Sequence, residues 1–310
     1  MTLREASCSS KFTGESVKRG FYIAALVCAL AAAWFVVADD TWRFRGETVT
    51  SGRPWDQNDT PKWEVNPDFT NDVFTFTRLQ YTAQHERYGR GHIDDDLRWL
   101  IDFPACDLDL SFRLQQMTSL KVAPDTKTVK MNDKELAGYP FVYMEEPGRG
   151  FLTDAEIPAL RKYLLNGGFL MIDDFWGARE WRAFSEEIER LFPPDRYPKQ
   201  KIMDLPIEHP IFHTVFDLKE QPQVPGIEWM KYYVSQGTTY EYRRGDSDYE
   251  TPHYRGISDD KGRLMVLICH NTDLGDGWER EGQDPEYFRV FAEPKAFPMG
   301  INAIVYAMTH

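Results

Sequence analysis

Hydrophobic and polar positions from residue 73 onward switch between strand-like and helix-like spacing. The run VFTFTRLQY alternates apolar and polar residues and predicts a strand, while FVYM, FLMID and LMVLIC predict short buried strands and KIMDL predicts a further strand. Between them, DLSFRLQQM has helical spacing, Thr153 and Glu156 match a capping box before a helix ending near Gly167, and further helices are predicted at about 179–192 and 299–308. Strands alternating with helices predict an α/β domain with a largely parallel sheet covered on both faces.

Two stretches depart from this alternation. Residues 236–262 form a long polar run, which predicts a hairpin or loop inserted into the domain. Residues 39–71 contain several prolines and no apolar periodicity, which predicts an extended linker. We therefore expect a leader at residues 1–20, an apolar helix at 21–38, the linker at 39–71 and a single α/β domain at 72–310.

The apolar segment at residues 21–38 contains no charged residue. As a helix it would span ~27 Å, close to the ~30 Å hydrocarbon core of a bilayer. Lys18 and Arg19 precede it and two aspartates follow it, so the positive-inside rule places the leader in the cytoplasm and the rest in the periplasm. A signal peptide cleaved after Ala38 is the alternative to an uncleaved signal anchor. We expect the anchor, crossing a bacterial inner membrane once.

Aromatic side chains are spaced along and beside the predicted anchor. Phe21, Trp34 and Phe35 are expected to contact the membrane. In the linker, Trp42 and Phe44 suit the headgroup region, and Trp55 and Trp63 lie farther along. We expect the four linker residues to dock on a partner protein.

Composition narrows the class of partner. The formal net charge is −13, so the chain would be repelled by phosphate backbones, and nucleic acid is excluded as a partner. Only two cysteines, Cys106 and Cys269, lie in the predicted exported part, which is too few for a disulfide framework. Cys269 ends an apolar run, so a buried free thiol is expected there.

Polar residues follow three predicted strands directly. Glu145 follows the first, Asp173 and Asp174 follow the second, and Asn271 and Asp273 follow the third. In a parallel sheet these strand ends meet at one edge, where oxygen ligands could hold Mg²⁺ or Ca²⁺, or paired carboxylates could act on a sugar. The same residue types also cap helices and shape turns, and NTDLGDG has the composition of a turn. The sequence leaves these alternatives open.

Other catalytic patterns are missing from the sequence. Pro210 separates His209 from His213, so the pair does not match a zinc-binding helix, and a capping or core role is expected. There is no G-x-S-x-G motif and no cysteine on a strand-to-helix turn, which argues against acyl transfer. No catalytic residue is therefore assigned.

Several longer segments resemble one protein family. FTFTRLQY, DFP at 102–104, LQQMTSLKV, YPFVYM, LLNGGFLMIDDFWG, EHPIFHTVFD, NTDLGDGWE and GINAIVYAMT are similar, in order, to the bacterial DUF4159 family, from about residue 74 to the end. The resemblance implies a flavodoxin-like three-layer sandwich related to class I glutamine amidotransferases. Asp173 and Asp174 stand where those enzymes carry their nucleophilic cysteine, so the resemblance implies the fold without that chemistry.

Two functions follow from these expectations. The first is a non-enzymatic, membrane-anchored periplasmic accessory subunit that docks on and stabilises an integral membrane protein complex, such as a photosynthetic reaction-centre and antenna assembly or a respiratory assembly. The alternative is a periplasmic carbohydrate- or metal-binding, or hydrolytic, domain that uses the strand-end carboxylates. Whether the chain is an enzyme is left open by the sequence.

Overall fold

The computed structural model describes residues 41–44, 47–50, 60–69, 72–81, 98–147 and 152–310. The chain divides into two compact units, Met1–Trp55 and Asp56–His310. In the first unit, β1 (Thr41–Phe44) and β2 (Glu47–Thr50) form a two-stranded antiparallel sheet. This hairpin lies inside the predicted linker. Its residues are mostly β-branched or aromatic, and such residues favour strands.

The second unit is organised around a seven-stranded sheet in the order β4-β3-β5-β6-β9-β8-β7. Its strands are β3 (Thr77–Gln80), β4 (Lys127–Lys130), β5 (Phe141–Glu145), β6 (Phe169–Asp173), β7 (Met203–Asp204), β8 (His253–Ser258) and β9 (Leu264–His270). The five strands from β4 to β9 in that order run parallel, and β8 and β7 continue the sheet antiparallel. A mixed α/β fold with a mostly parallel sheet confirms the predicted class.

Seven helices are described in this unit: α1 (Ala105–Met117), α2 (Ile157–Leu165), α3 (Gly177–Ile188), α4 (Met230–Gln236), α5 (Leu274–Glu279), α6 (Pro285–Tyr287) and α7 (Phe297–Thr309). Shorter 3₁₀ turns lie at Pro67–Phe69, Lys134–Gly138, Pro210–Phe212 and Ile227–Trp229. A π-helical segment, Phe288–Ala296, joins α6 to α7 and contains Pro294. Proline has no backbone N–H, so the regular α-helical hydrogen-bond ladder is interrupted there.

Both faces of the sheet are buried along β5, β6 and β9. Successive side chains of each strand point to opposite faces. Phe141 and Tyr143 of β5 pack with residues of α1, α5 and α7, whereas Val142 and Met144 pack with residues of α2 and α3. These strands are therefore apolar throughout, as their sequences predicted. Cys106 and Cys269 are both free and buried, which confirms the predicted thiol at Cys269.

Two predicted elements differ from the structure. The polar stretch 236–262 contains β8, which forms the predicted hairpin by pairing antiparallel with β9, but β8 is a full member of the sheet instead of an insertion. Its alternating polar and buried residues gave little apolar signal. The NTDLGDG segment contains a helix, α5, instead of a turn, because Asp273 caps it by accepting a hydrogen bond from the Asp276 N–H at 2.7 Å.

The described part of the chain holds no helix that combines the length and the apolar character needed to cross a membrane. The predicted leader (1–20), the predicted anchor (21–38) with Phe21, Trp34 and Phe35, and Trp55 all lie outside the described residues.

Candidate metal centre

The carboxyl ends of β5, β6 and β9 lie side by side at one edge of the sheet. Glu145 is the last residue of β5 and pairs in register with Asp173, the last residue of β6. Asp273 follows β9 after a short turn and begins α5. The expected convergence of strand-end side chains is therefore present.

Three carboxylates from these three strand ends form the first group. Glu145, Asp174 and Asp273 each place one oxygen so that the three oxygens lie within 4.8 Å of one another. All three residues are buried. Such an arrangement of hard oxygen atoms matches the ligands that Mg²⁺ and Ca²⁺ take in proteins.

A second group shares one residue with the first. Asp102, Asp273 and Asp276 also place three carboxylate oxygens within 4.8 Å of one another. Asp102 lies in the loop before α1, and Asp276 lies in the first turn of α5. Asp273 therefore stands between two sets of carboxylates.

The backbone at this edge adopts an unusual conformation. Of the five described non-glycine residues with positive φ, four lie here: Asp102 (57°), Glu146 (46°), Asp174 (52°) and Asn271 (62°). Asp and Asn visit this left-handed region more readily than most residues, but it still costs about 1–3 kcal/mol per residue. Left-handed residues concentrated at one edge are typical of a functional site.

Glu145 is held by one buried arginine. Arg78 of β3 is fully buried and forms salt bridges with Glu145 and, at 2.5 Å, with Asp107 of α1. Arg78 also donates to the backbone oxygens of Trp99 at 3.1 Å and Ile101 at 2.7 Å. This pairing engages Glu145 Oε2, whereas Oε1 lies beside the Asp102 carboxyl. Among the described residues, no N–H group and no hydroxyl donates a hydrogen bond to Glu145 Oε1.

Asp173 accepts hydrogen bonds from neighbouring elements and does not join the oxygen group that contains Asp174. Its Oδ2 accepts hydrogen bonds from Leu274 N at 2.7 Å, Gly275 N at 3.1 Å and the Tyr143 hydroxyl at 3.1 Å. Asp173 thereby fixes the start of α5, and it belongs to neither oxygen group.

Asn271 is likewise engaged with backbone groups. Its Oδ1 accepts a hydrogen bond from Gly177 N at 2.8 Å. Its Nδ2 donates to the oxygens of Asp248 at 2.6 Å and Thr251 at 2.7 Å. The side chain therefore ties the loop before β8 to the start of α3, and it too lies outside both oxygen groups.

Burial governs the protonation of these acids. Loss of hydration raises the pKa of Asp102 to about 6 and that of Asp173 to about 7. Burial also raises the pKa values of Glu145, Asp174 and Asp273, with nearby carboxylates adding to the rise for each. The carboxyls of Asp102 and Glu145 lie close enough to share a proton in a hydrogen bond. The site therefore favours whatever positive charge can enter it.

Arginine side chains balance part of this negative charge. Arg280 Nε lies 2.6 Å from Asp276 Oδ1, and Arg280 Nη2 lies 2.7 Å from Glu279 Oε2. Neither Asp174 nor Asp273 forms a salt bridge with a described arginine, lysine or histidine. Asp174 Oδ1 instead accepts a hydrogen bond from Trp176 Nε1 at 2.9 Å. The carboxylates of the first group are thus less neutralised than those of the second.

Neither His209 nor His270 belongs to this site. His209 caps a 3₁₀ turn by accepting a hydrogen bond from Ile211 N at 3.2 Å, in agreement with the predicted capping role. His270 packs against Phe175 and Trp181 with tilted rings, on the sheet face opposite Cys269. Burial lowers the pKa of His270 to about 3.

A family model described as a domain of unknown function, DUF4159, matches residues 75–308. The chain belongs to the DUF4159 family. The predicted family membership is therefore confirmed, and both oxygen groups of the site lie inside the DUF4159 match. A search of curated proteins finds no match to the chain.

Sequence reasoning found part of this DUF4159 site. It identified Glu145, Asp174 and Asp273 from their positions after strands, but it did not assign Asp102 or Arg78. Asp102 does lie in the DFP motif that carries the family resemblance. Arg78 is the single arginine in the predicted strand FTFTRLQY. Because a buried arginine is almost always paired with an acid, its position could have indicated a buried salt bridge.

Three of the four predicted docking residues, Trp42, Phe44 and Trp63, lie among the described residues. Trp63 donates its indole N–H to the Val122 oxygen at 2.7 Å, and its ring lies 5.7 Å from that of Phe112. Trp63 is therefore bound to the DUF4159 domain itself. Trp42 and Phe44 are residues of β1. Docking of the linker on a partner stays a prediction.

Proposed function

We propose that the DUF4159 domain of this chain binds a divalent cation, Mg²⁺ or Ca²⁺, through Glu145, Asp174 and Asp273. The observation that carries this proposal is the first oxygen group, in which three buried carboxylates from different strand ends come within 4.8 Å of one another. Glu145 Oε1 also supports the proposal. It is fully buried and accepts no hydrogen bond from an N–H group or hydroxyl of the described residues, so a bound cation would stabilise its negative charge.

Charge supports a cation over protons alone. Three carboxylates at this separation repel one another strongly in a medium of low dielectric constant. This repulsion raises the pKa values of the carboxyls, and each proton that binds neutralises one charge. A divalent ion neutralises two charges and also supplies coordination bonds. Three protein ligands leave further coordination positions, which water or an oxygen of a bound ligand would take.

This proposal develops the binding alternative that the sequence predicted. Hydrolysis of a sugar by the same residues would need one carboxyl as acid and another as base or nucleophile. A bound cation instead uses both as ligands. Loss of sugar-cleaving activity and loss of cation binding are therefore separate outcomes that can be measured on the same variants.

Isothermal titration calorimetry of the full-length chain with MgCl₂ and CaCl₂ at pH 7.5 tests the proposal. We expect saturable binding of at least one of the two ions, weakened about tenfold or more by E145Q, D174N or D273N. D174N suits the test because Asn tolerates the left-handed φ of Asp174.

The matched control is D195N, which removes an exposed carboxylate that belongs to neither oxygen group. It is expected to bind the ion like the wild type. Absence of binding by a folded wild-type chain, or equal affinity in all four variants, would contradict the proposal.

As the setting of this domain we propose the membrane-anchored accessory subunit, with a flavodoxin-like domain held in the periplasm by residues 21–38. What supports it is the uncharged apolar segment with basic residues before it and acidic residues after it. Purification in mild detergent, with the intact mass read from the same sample, tests it. A full-length chain in a large assembly supports the subunit, and a lone chain beginning at Asp39 contradicts it.

A further inference from the structure

Asp273 belongs to both oxygen groups of the candidate site. We propose that the site binds two divalent cations, one in each group, with the Asp273 carboxylate bridging them. The first ion is the one of the proposed function, on which this inference rests. The second is held by Asp102, Asp273 and Asp276.

The two groups meet around one glycine. A Cβ atom at Gly275 would overlap Glu145 Oε1 of the first group and would lie 3.2 Å from Asp102 Oδ2 of the second. The backbone of α5 therefore approaches both carboxylates closely. Glu145 Oε1 is buried, accepts no hydrogen bond from a described N–H group or hydroxyl, and lies beside Asp102. It therefore lies in the space that the two groups share.

Asp276 is already oriented for this role. Its Oδ2 accepts a hydrogen bond from Ile227 N, and its Oδ1 accepts one from Arg280 Nε at 2.6 Å. Carboxylates that bind metals are usually held by hydrogen bonds of this kind, since each oxygen keeps a second lone pair for the ion. Ile227 and Arg280 therefore fix the direction of the Asp276 carboxylate.

Arg280 also predicts the order of binding. Its guanidinium is in contact with Asp276 and Glu279 and lies 4.0 Å from Asp102. This positive charge lowers the affinity of the second group for a cation, because Arg280 forms ion pairs with two of its three acids. In the first group Glu145 is the one acid that forms an ion pair with a described residue, Arg78. We expect the first group to fill at lower ion concentration and the second to fill afterwards.

Electron paramagnetic resonance with Mn²⁺ distinguishes one ion from two. Two ions that share a carboxylate lie about 3.5–4 Å apart, which is close enough for their spins to couple. Titration of the full-length chain with MnCl₂ is expected to show two bound ions per chain and a coupled spectrum near saturation. D102N is expected to bind one ion and to lose the coupling, and D273N is expected to lose both ions.

D102N keeps the backbone intact, because Asn tolerates the left-handed φ of Asp102. D195N again serves as the control and should bind two coupled ions. One uncoupled ion in the wild type, unaffected by D102N, would overturn this inference and leave the proposed function standing. No bound ion in a folded wild-type chain would overturn both.

Discussion

Single side chains at this edge of the sheet divide into ligands and supports. Glu145, Asp174 and Asp273 present oxygens to the shared space, whereas Asp173 and Asn271 spend their hydrogen bonds on the backbone of neighbouring elements. The sequence could not separate Asp173 from Asp174, because both follow the same strand. In the structure Asp173 is the last residue of β6 and accepts hydrogen bonds from the start of α5, whereas Asp174 follows with a left-handed φ and joins the first oxygen group.

Gly275 gives a test at the scale of one methyl group. G275A should lower the free energy of unfolding by about 1–3 kcal/mol, because the new Cβ overlaps Glu145 Oε1 in a tightly packed site. It should also weaken Mg²⁺ binding about tenfold or more, since Glu145 must move. Urea unfolding in EDTA and calorimetry measure the two effects.

G138A is the matched control, because a Cβ there meets no atom within 4 Å. Its stability in urea and its Mg²⁺ affinity should stay close to those of the wild type. If G275A behaves like G138A in both measurements, the close approach of α5 to Glu145 would be contradicted.

At the scale of elements, long apolar runs were predicted well, whereas the short helix α5 and the polar strand β8 were not. The strands Phe141–Glu145, Phe169–Asp173 and Leu264–His270 are fully buried, so their composition alone identified them. Helix α5 has only six residues, two of them glycine, and it is stabilised by Asp273 and Asp173 from outside the helix. Such support comes from tertiary contacts, which local sequence patterns do not contain.

The start of α5 should therefore depend on Asp173. D173A leaves Leu274 N, Gly275 N and the Tyr143 hydroxyl without their acceptor, so it should cost about 1–3 kcal/mol of unfolding free energy. D173N retains an oxygen at this position and should cost clearly less. Urea unfolding of both variants in EDTA measures this difference, and equal losses would show that the hydrogen bonds are not the cause.

For the whole molecule, the burial of acids links stability to pH. Burial raises the pKa of Asp102 to about 6 and the pKa values of Glu146, Asp173 and Glu241 to about 7. Between the ordinary carboxyl pKa and these values, the folded chain holds protons that the unfolded chain has released. The contribution of these four carboxyls to the free energy of unfolding must therefore fall as pH rises through this interval and level off above it.

In EDTA we expect the free energy of unfolding to decrease from pH 5 to pH 7, by up to about 1.4 kcal/mol per pH unit for each such group. Saturating Mg²⁺ should offset this decrease increasingly toward pH 8, because its ligands must be deprotonated. Urea unfolding at several pH values, with and without Mg²⁺, measures both trends. Stability that rises with pH in EDTA would contradict the assigned burial.

The fold class, the family and the edge of the sheet that carries the acids could all be predicted from the sequence. The strand β8 could not, because three of its six residues are only half-buried and it has no continuous apolar run. The contributions of Asp102, from the loop before α1, and of Arg78, from β3, depend on contacts between distant parts of the chain. Such contacts form only when the sheet is assembled.

The most direct test of the central claim is a crystal structure of the chain grown with MnCl₂, with anomalous diffraction recorded at the manganese edge. We predict an anomalous peak in contact with the carboxylate oxygens of Glu145, Asp174 and Asp273. An ordered site with these side chains in place and no peak among them, at saturating Mn²⁺, would contradict the claim that this DUF4159 domain binds a divalent cation.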